Sequence, residues 1–262
     1  MRPPPSDGTL SNAAEEGNRY LLRCLGMSAV PRFLGALIPG SRRLALAAVA
    51  AAREAHDLDL ARAEATALAA RHPEDPRPLA LLGRVLTDQG RLGEALDAHQ
   101  RACACAPRDP THHREMAGSL RELGDPGAAL EALDTAITLA PHDIHLWKDR
   151  GSTLLSMRRF RSAANAFRMV VAARPHAHTS RSLLAYCLTY ADRPDEAAEQ
   201  YRELLARYPA HPRARYNLGA ALYLAGRLPE AAAEFQRALR EDPADTKAAS
   251  ALRQTASAIR KG

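Results

Sequence analysis

The chain has 262 residues, 46% of them apolar and 25% charged, which supplies a sizeable core and excludes a disordered polymer. Aromatics make up only 5% while alanine and leucine dominate, a mixture that suits closely packed helices better than strands. The formal charge of +6 favours acidic partners without choosing among proteins, nucleic acids and lipid headgroups. Four cysteines, Cys24, Cys103, Cys105 and Cys187, are too sparse for a disulfide scaffold and suit the reducing cytoplasm.

Residues 1–17, with Pro3, Pro4 and Pro5 among polar neighbours, read as a disordered tail. Residues 18–41 carry Tyr20, Leu21, Leu22, Leu25, Val30, Phe33, Leu34, Leu37 and Ile38, which predict two short helices divided near Pro31 and placed as a cap. Ser41-Arg42-Arg43-Leu44, followed by an alanine-rich run to Ala52, has the composition of a twin-arginine leader. It lies far from Met1, its apolar run falls short of the roughly 20 residues of a bilayer span, and it keeps phase with a 34-residue period that runs through the rest of the chain. A chain that stays in the cytoplasm is the expectation.

From residue 42 the sequence repeats. Pro73, Pro107, Pro141, Pro175, Pro209 and Pro243 succeed one another every 34 residues, and twelve residues before each stands an alanine: Ala61, Ala95, Ala129, Ala163, Ala197 and Ala231. Numbering each unit from 1 gives repeats at 42–75, 76–109, 110–143, 144–177, 178–211 and 212–245. Position 11 is apolar throughout (Ala52, Leu86, Leu120, Leu154, Leu188, Leu222), and position 8 is mostly small (Val49, Gly83, Ala117, Gly151, Ala185, Gly219), as close approach of two helix backbones requires. Positions 4, 7, 8 and 11, and again 20, 24, 27 and 28, keep helical spacing, so each unit is two amphipathic helices. Gly90, Gly124 and Gly226 mark the turn between them, with His56, Arg158 and Asp192 in the same slot, and the proline at position 32 ends the second helix. The first unit is thin, with alanine at positions 4, 7, 11, 24 and 28. Thr246–Lys261 continues in register through Ala249, Leu252 and Ala256 and reads as a final solubilising helix, so residues 246–262 close the repeats.

The last unit, with Asn217, Leu218, Gly219, Ala220, Leu222, Tyr223, Gly226, Ala231, Phe235, Ala238, Leu239 and Pro243, resembles a near-consensus tetratricopeptide repeat, and the pattern extends over residues 42–245. The resemblance implies an all-α solenoid of stacked antiparallel helix pairs, wound as an open right-handed superhelix, whose first helices line a concave groove that binds peptides or protein segments. Carried onto positions 2, 5, 9, 12 and 13, it implies a groove lined by Arg43, Arg53, Arg77, Arg84, Arg114, Arg121 and Lys148, with Glu54, Asp88 and Glu122 among them, and then by Tyr186, Tyr190, Tyr216 and Tyr223. Arginine forks grip carboxylates and tyrosines offer broad contact with a polar tip, so the expected partner is a protein segment bearing acidic and hydrophobic residues. Singly, each arginine also reads as a solvated surface residue and each tyrosine as packing between repeats. The Lys and Asn pattern by which chaperone-binding members hold a C-terminal carboxylate is missing, since position 9 reads Ala50, Arg84, Gly118, Ser152, Tyr186 and Ala220 and only Asn217 matches a clamp position.

Other chemistries find less support. Cys103, Cys105, His112 and His113 are zinc-type ligands, but Cys103 falls at buried position 28, His113 at packing position 4, and two cysteines two residues apart on a helix point different ways. No phosphate-binding glycine loop or nucleophile elbow occurs and the histidines are scattered, so neither catalysis nor a cofactor is expected. Basic residues beside tyrosines also suit single-stranded nucleic acid, though acidic residues interrupt the stripe. Leu25-Gly26-Met27 with Val30 and Phe33 is similar to the lead of magnetosome-associated tetratricopeptide scaffolds, which implies self-assembly through residues 18–38 as an alternative.

Overall fold

The computed structural model describes residues 42–211 and 213–261; the tail and cap expected over 1–17 and 18–41 lie outside the described residues. The described residues form thirteen α-helices, which are six pairs and a final helix: α1 (Arg42–Glu54), α2 (Leu58–Arg71), α3 (Pro76–Asp88), α4 (Leu92–Cys105), α5 (Pro110–Glu122), α6 (Pro126–Leu139), α7 (Ile144–Ser156), α8 (Phe160–Ala173), α9 (His178–Thr189), α10 (Pro194–Arg207), α11 (Ala214–Leu224), α12 (Leu228–Glu241) and α13 (Thr246–Lys261). The chain divides into two compact units between Cys105 and Ala106, the first holding α1 to α4 and the second α5 to α13. Within each unit the helices stack as antiparallel pairs, each helix packing on the one before and the one after it. No helix among the described residues is long and apolar enough to cross a membrane.

The 34-residue period is written into two turns. Inside each repeat, position 15 has a left-handed backbone whether it is Gly90, Gly124 or Gly226 or the non-glycines His56, Arg158 and Asp192. The next amide donates back to the carbonyl of position 11, as in Asp57 to Ala52 at 2.9 Å and Arg193 to Leu188 at 3.2 Å, which closes each first helix in a Schellman motif. Between repeats, the position 32 proline sits second in a turn closed from the amide of position 34 to the carbonyl of position 31, at 3.0 to 3.1 Å in all six copies. At Asp75, Asp109, Asp143 and Asp245 the same residue also caps the next helix, its carboxylate accepting the amide of Arg77, Thr111, His145 and Lys247. The proline carbonyl is satisfied from position 4 of the next helix: His113 Nε2 lies 2.9 Å from Pro107 O, Trp147 Nε1 donates to Pro141 O at 2.8 Å, and the Arg181 guanidinium to Pro175 O at 3.2 Å.

Packing explains the regular spacing of small and large residues along the chain. The six alanines at position 20 are all completely buried, because the two helices of a pair cross there with room for one methyl group. Position 8 faces position 24, and side-chain size is traded between them: Gly83 lies under the His99 ring, Gly151 under Phe167 and Gly219 under Phe235, while Ala117 shares a core with Leu133 and Ala185 with Tyr201. A methyl group added at Gly219 would stand 2.7 Å from the Phe235 ring. Phe167, Tyr201 and Phe235 anchor the largest core of the second unit, each such side chain contributing about 2 kcal/mol by leaving water.

Candidate functional site

The first-helix arginines of the first unit are engaged inside the chain. Arg53 at position 12 forks onto Asp88 at position 13 of the next repeat, with Nη2 to Oδ1 at 3.1 Å and a closer contact through Nε. Arg77 folds back on its own cap, Nε to Asp75 Oδ1 at 2.9 Å and Nη2 to Oδ2 at 2.7 Å, and Arg42 reaches the same carboxylate at 3.3 Å. These contacts, with the Arg77 hydrogen bond first among them, hold the Asp75 carboxyl down to about 2 in spite of its burial. Arg84 stands exposed on α3.

In the second unit Arg114 Nε donates to Asp149 Oδ2 at 2.6 Å, again one repeat further on, while Arg121 and Lys148 are exposed. The tyrosines behave differently. Tyr186 and Tyr190, one turn apart on α9, have ring centroids 4.9 Å apart, and Phe160 at the start of α8 joins them at 6.3 and 5.2 Å. The Arg158 guanidinium lies 5.9 Å from the Phe160 centroid. This cluster is ordered by mutual contact but outward-facing, with Tyr190 52% exposed. Beneath it lies buried Tyr201; burial raises its pKa, as it raises that of Tyr186, where neighbouring Tyr190 adds to the effect. Burial also pushes the Cys187 thiol up to about 12, which leaves it protonated and unreactive at neutral pH.

A cleft of about 1120 Å³ opens in front of this cluster, with Tyr186 and Tyr190 of α9, Tyr216 and Asn217 of α11, and Lys247 of α13 in its walls. Tyr216 is half-buried, its ring 5.7 Å from that of Phe235. The chain between α10 and α11, through Pro209, His211 and Arg213, forms one side. Here the inter-repeat turn departs from the others. His211 replaces the capping aspartate, Arg213 takes a left-handed backbone, and α11 begins two residues late, at Ala214.

The tetratricopeptide repeat family matches the sequence over residues 43–110, 148–189 and 188–246, more than half of its length. The chain belongs to this family. No curated protein matches the sequence. Among solved structures the tetratricopeptide stack is similar to YrrB, a TPR protein with an unusual peptide-binding site, at 19% identity and a TM-score of 0.65, over 71% of this chain and 96% of that one. It is similar to MamA at 17% identity and 0.59, over 68% and 97%, and to a tetratricopeptide repeat protein of Parabacteroides merdae ATCC 43184 at 18% and 0.60, over 83% and 93%. At these identities the likeness is one of fold. Tetratricopeptide repeat proteins mediate protein–protein interactions.

The residues expected to line a tetratricopeptide groove therefore separate. Arg77 and Arg84 belong to the first unit, and Arg114, Arg121, Lys148 and the four tyrosines to the second. Tyr186, Tyr190 and Tyr216 meet in one cleft; Tyr223 is exposed at the far end of α11 and does not line it. Sequence reasoning passed over Phe160, Arg213 and Lys247. The last two occupy position 2, the register slot that selected Arg77. Cys103 and Cys105 lie in the first unit and His112 and His113 in the second, and Cys105 Sγ contacts Pro73 O at 3.4 Å.

Proposed function

We propose that this protein is an interaction scaffold or adaptor that holds an extended segment of a partner protein on the first-helix face of its repeats. The observation that carries this reading is the outward-facing cluster of Phe160, Tyr186 and Tyr190 opening onto the cleft that Tyr216 shares. Large, rigid aromatic surface with polar tips is what binding hot spots are made of. Arg114, Arg121, Lys148 and Tyr223 on the second unit, and separately Arg77 and Arg84 on the first, are the further candidate contacts, and the partner is a segment with acidic and hydrophobic residues. Because Arg77 and Arg114 already hold carboxylates of the chain, the tyrosines supply most of the binding. The same ion pairs weigh against single-stranded nucleic acid, which needs its cations available for phosphate. The task is binding, with no cofactor, in the reducing cytoplasm that four sparse cysteines suit.

Affinity capture with the wild-type chain and a Tyr186→Ala/Tyr190→Ala variant tests this reading. Both side chains are exposed, so the variant is expected to keep its circular dichroism spectrum and melting temperature while losing the proteins that wild type retains. Equal capture by a folded double variant would remove the cluster from the binding surface.

A further inference from the structure

The charged groups around the tyrosine cleft are not equivalent. Each carboxylate in its wall is already held by the chain: Glu241 accepts from Arg215 Nε at 2.5 Å, Asp242 from the Ala244 amide at 3.0 Å, and Asp245 from the Lys247 and Ala248 amides at 2.9 and 3.0 Å. Arg215 is likewise committed, to Glu241 and, at 3.5 Å, to Glu234. Arg213 and Lys247 also line the cleft, are exposed, and have no side-chain partner among the described residues. The site thus presents two exposed cations without a carboxylate partner beside an aromatic floor, while its carboxylates are engaged by Arg215 or by backbone amides.

The backbone favours the same arrangement. At the start of α11 the chain gives up two residues of helix and the side-chain cap that Asp75, Asp109, Asp143 and Asp245 provide elsewhere, and it places Arg213 at a φ of 58°. A left-handed arginine is disfavoured by about 1 kcal/mol or more, and glycine would avoid that cost. Arg213, in this conformation, lines the cleft together with Lys247 at the start of α13. Asn217 adds a polar group to the lining.

We infer that the cleft between α9, α11 and α13 takes a peptide in which an aromatic or aliphatic side chain lies close to a carboxylate, the first against Tyr186, Tyr190 and Tyr216 and the second between Arg213 and Lys247. This inference rests on the binding reading above and changes its polarity: the acidic part of the partner is met in the last repeat and the final helix, not by the arginines of repeats two to four. A carboxylate reaching two cations in a partly enclosed cleft gains from charge-assisted hydrogen bonds, while the aromatic floor excludes water from one side of them.

The test uses the full chain against two phage-displayed libraries of random 12-residue peptides, one displayed internally and one with a free C-terminus. Enrichment of sequences pairing Phe, Tyr, Trp or Leu with Asp or Glu is expected; enrichment in the internal library assigns the anion to a side chain, and enrichment confined to the other assigns it to the terminal carboxylate. Synthetic versions of the selected peptides should bind at least tenfold more weakly to Arg213→Gly/Lys247→Glu, and their Asp→Asn or Glu→Gln forms, or their C-terminal amides where the anion is terminal, should lose a similar factor on wild type. Arg213→Gly suits the left-handed backbone, so a melting temperature at or above that of wild type excludes misfolding as the cause of a loss. Arg101→Gln, at an exposed second-helix cation of the first unit, should leave binding unchanged. Peptides selected from the internal library that lack acidic residues, or any selected peptides that keep their affinity for the double variant, overturn the inference while their sensitivity to Tyr190→Ala upholds the scaffold reading. Peptides indifferent to Tyr190→Ala overturn both.

Discussion

Asp75 joins three functions in one residue: its backbone amide closes the proline turn, its carboxylate caps α3, and the same carboxylate pairs with Arg77 and Arg42. Its folded carboxyl titrates at about 2 against an ordinary value of 3.8. The contribution is therefore complete above about pH 4 and is lost as the pH falls through 2. Asp75→Ala is expected to cost about 1–2 kcal/mol at neutral pH, most of it the cap, since Arg77 is solvent-exposed and its ion pair is screened. Hydrogen exchange at the α3 amides, measured from pH 6 down to 2, should show the difference from wild type narrowing across the lower half of that range. A difference that stays constant with pH would detach the charge from the stability. The aspartate slot also explains why two joints differ: Ala177 and His211 occupy it before α9 and α11, and neither of those helices carries a side-chain cap.

At the scale of helices, the period was fully legible because its punctuation is local. Proline at position 32, alanine at position 20 and the left-handed slot at position 15 each act within one turn of chain, so they appear in the sequence as fixed letters or a fixed position. His56, Arg158 and Asp192 were placed correctly in that slot even though only glycine relaxes there without cost. The tyrosines were legible for the same reason, through helical register. The state of the arginines was not, because it depends on the neighbouring repeat: Arg53 meets Asp88 and Arg114 meets Asp149 at a separation of 35 residues, one more than the period. The trade of size between positions 8 and 24 is likewise a property of a pair. Gly219→Ala is expected to destabilise the chain by about 1–3 kcal/mol through overpacking against Phe235, and Gly219→Ala/Phe235→Leu to recover part of that loss. A double-mutant cycle by urea denaturation measures the coupling, and strict additivity would refute the contact.

The whole molecule is a set of stacks in which each helix depends on its immediate neighbours. The final helix, α13, covers the end of the second unit, laying Ala251 and Leu252 on its largest core and burying Ala248 and Thr255 completely. At the slot where the other first helices carry valine, glycine or alanine, α13 carries exposed Arg253. Removing residues 246–262 is expected to lower the melting temperature and to bring about self-association, measured by light scattering, as the apolar end of α12 and α11 is uncovered. A monomeric, equally stable truncation would show that α13 is dispensable to the stack.

The complementary sizes at positions 8 and 24 also bear on how such an array is inherited. Val49 is matched to Ala65, and Gly219 to Phe235, so a crossover within the turn at position 15 would join a first helix to a second helix of the wrong size, leaving a void or a clash. A crossover in the proline turn keeps each matched pair intact. The heritable module of this chain is therefore the helix pair bounded by its prolines, and gene duplication or exchange that respects those boundaries can lengthen or recombine the array while keeping the packing inside each pair, leaving only the surfaces between pairs to be refitted.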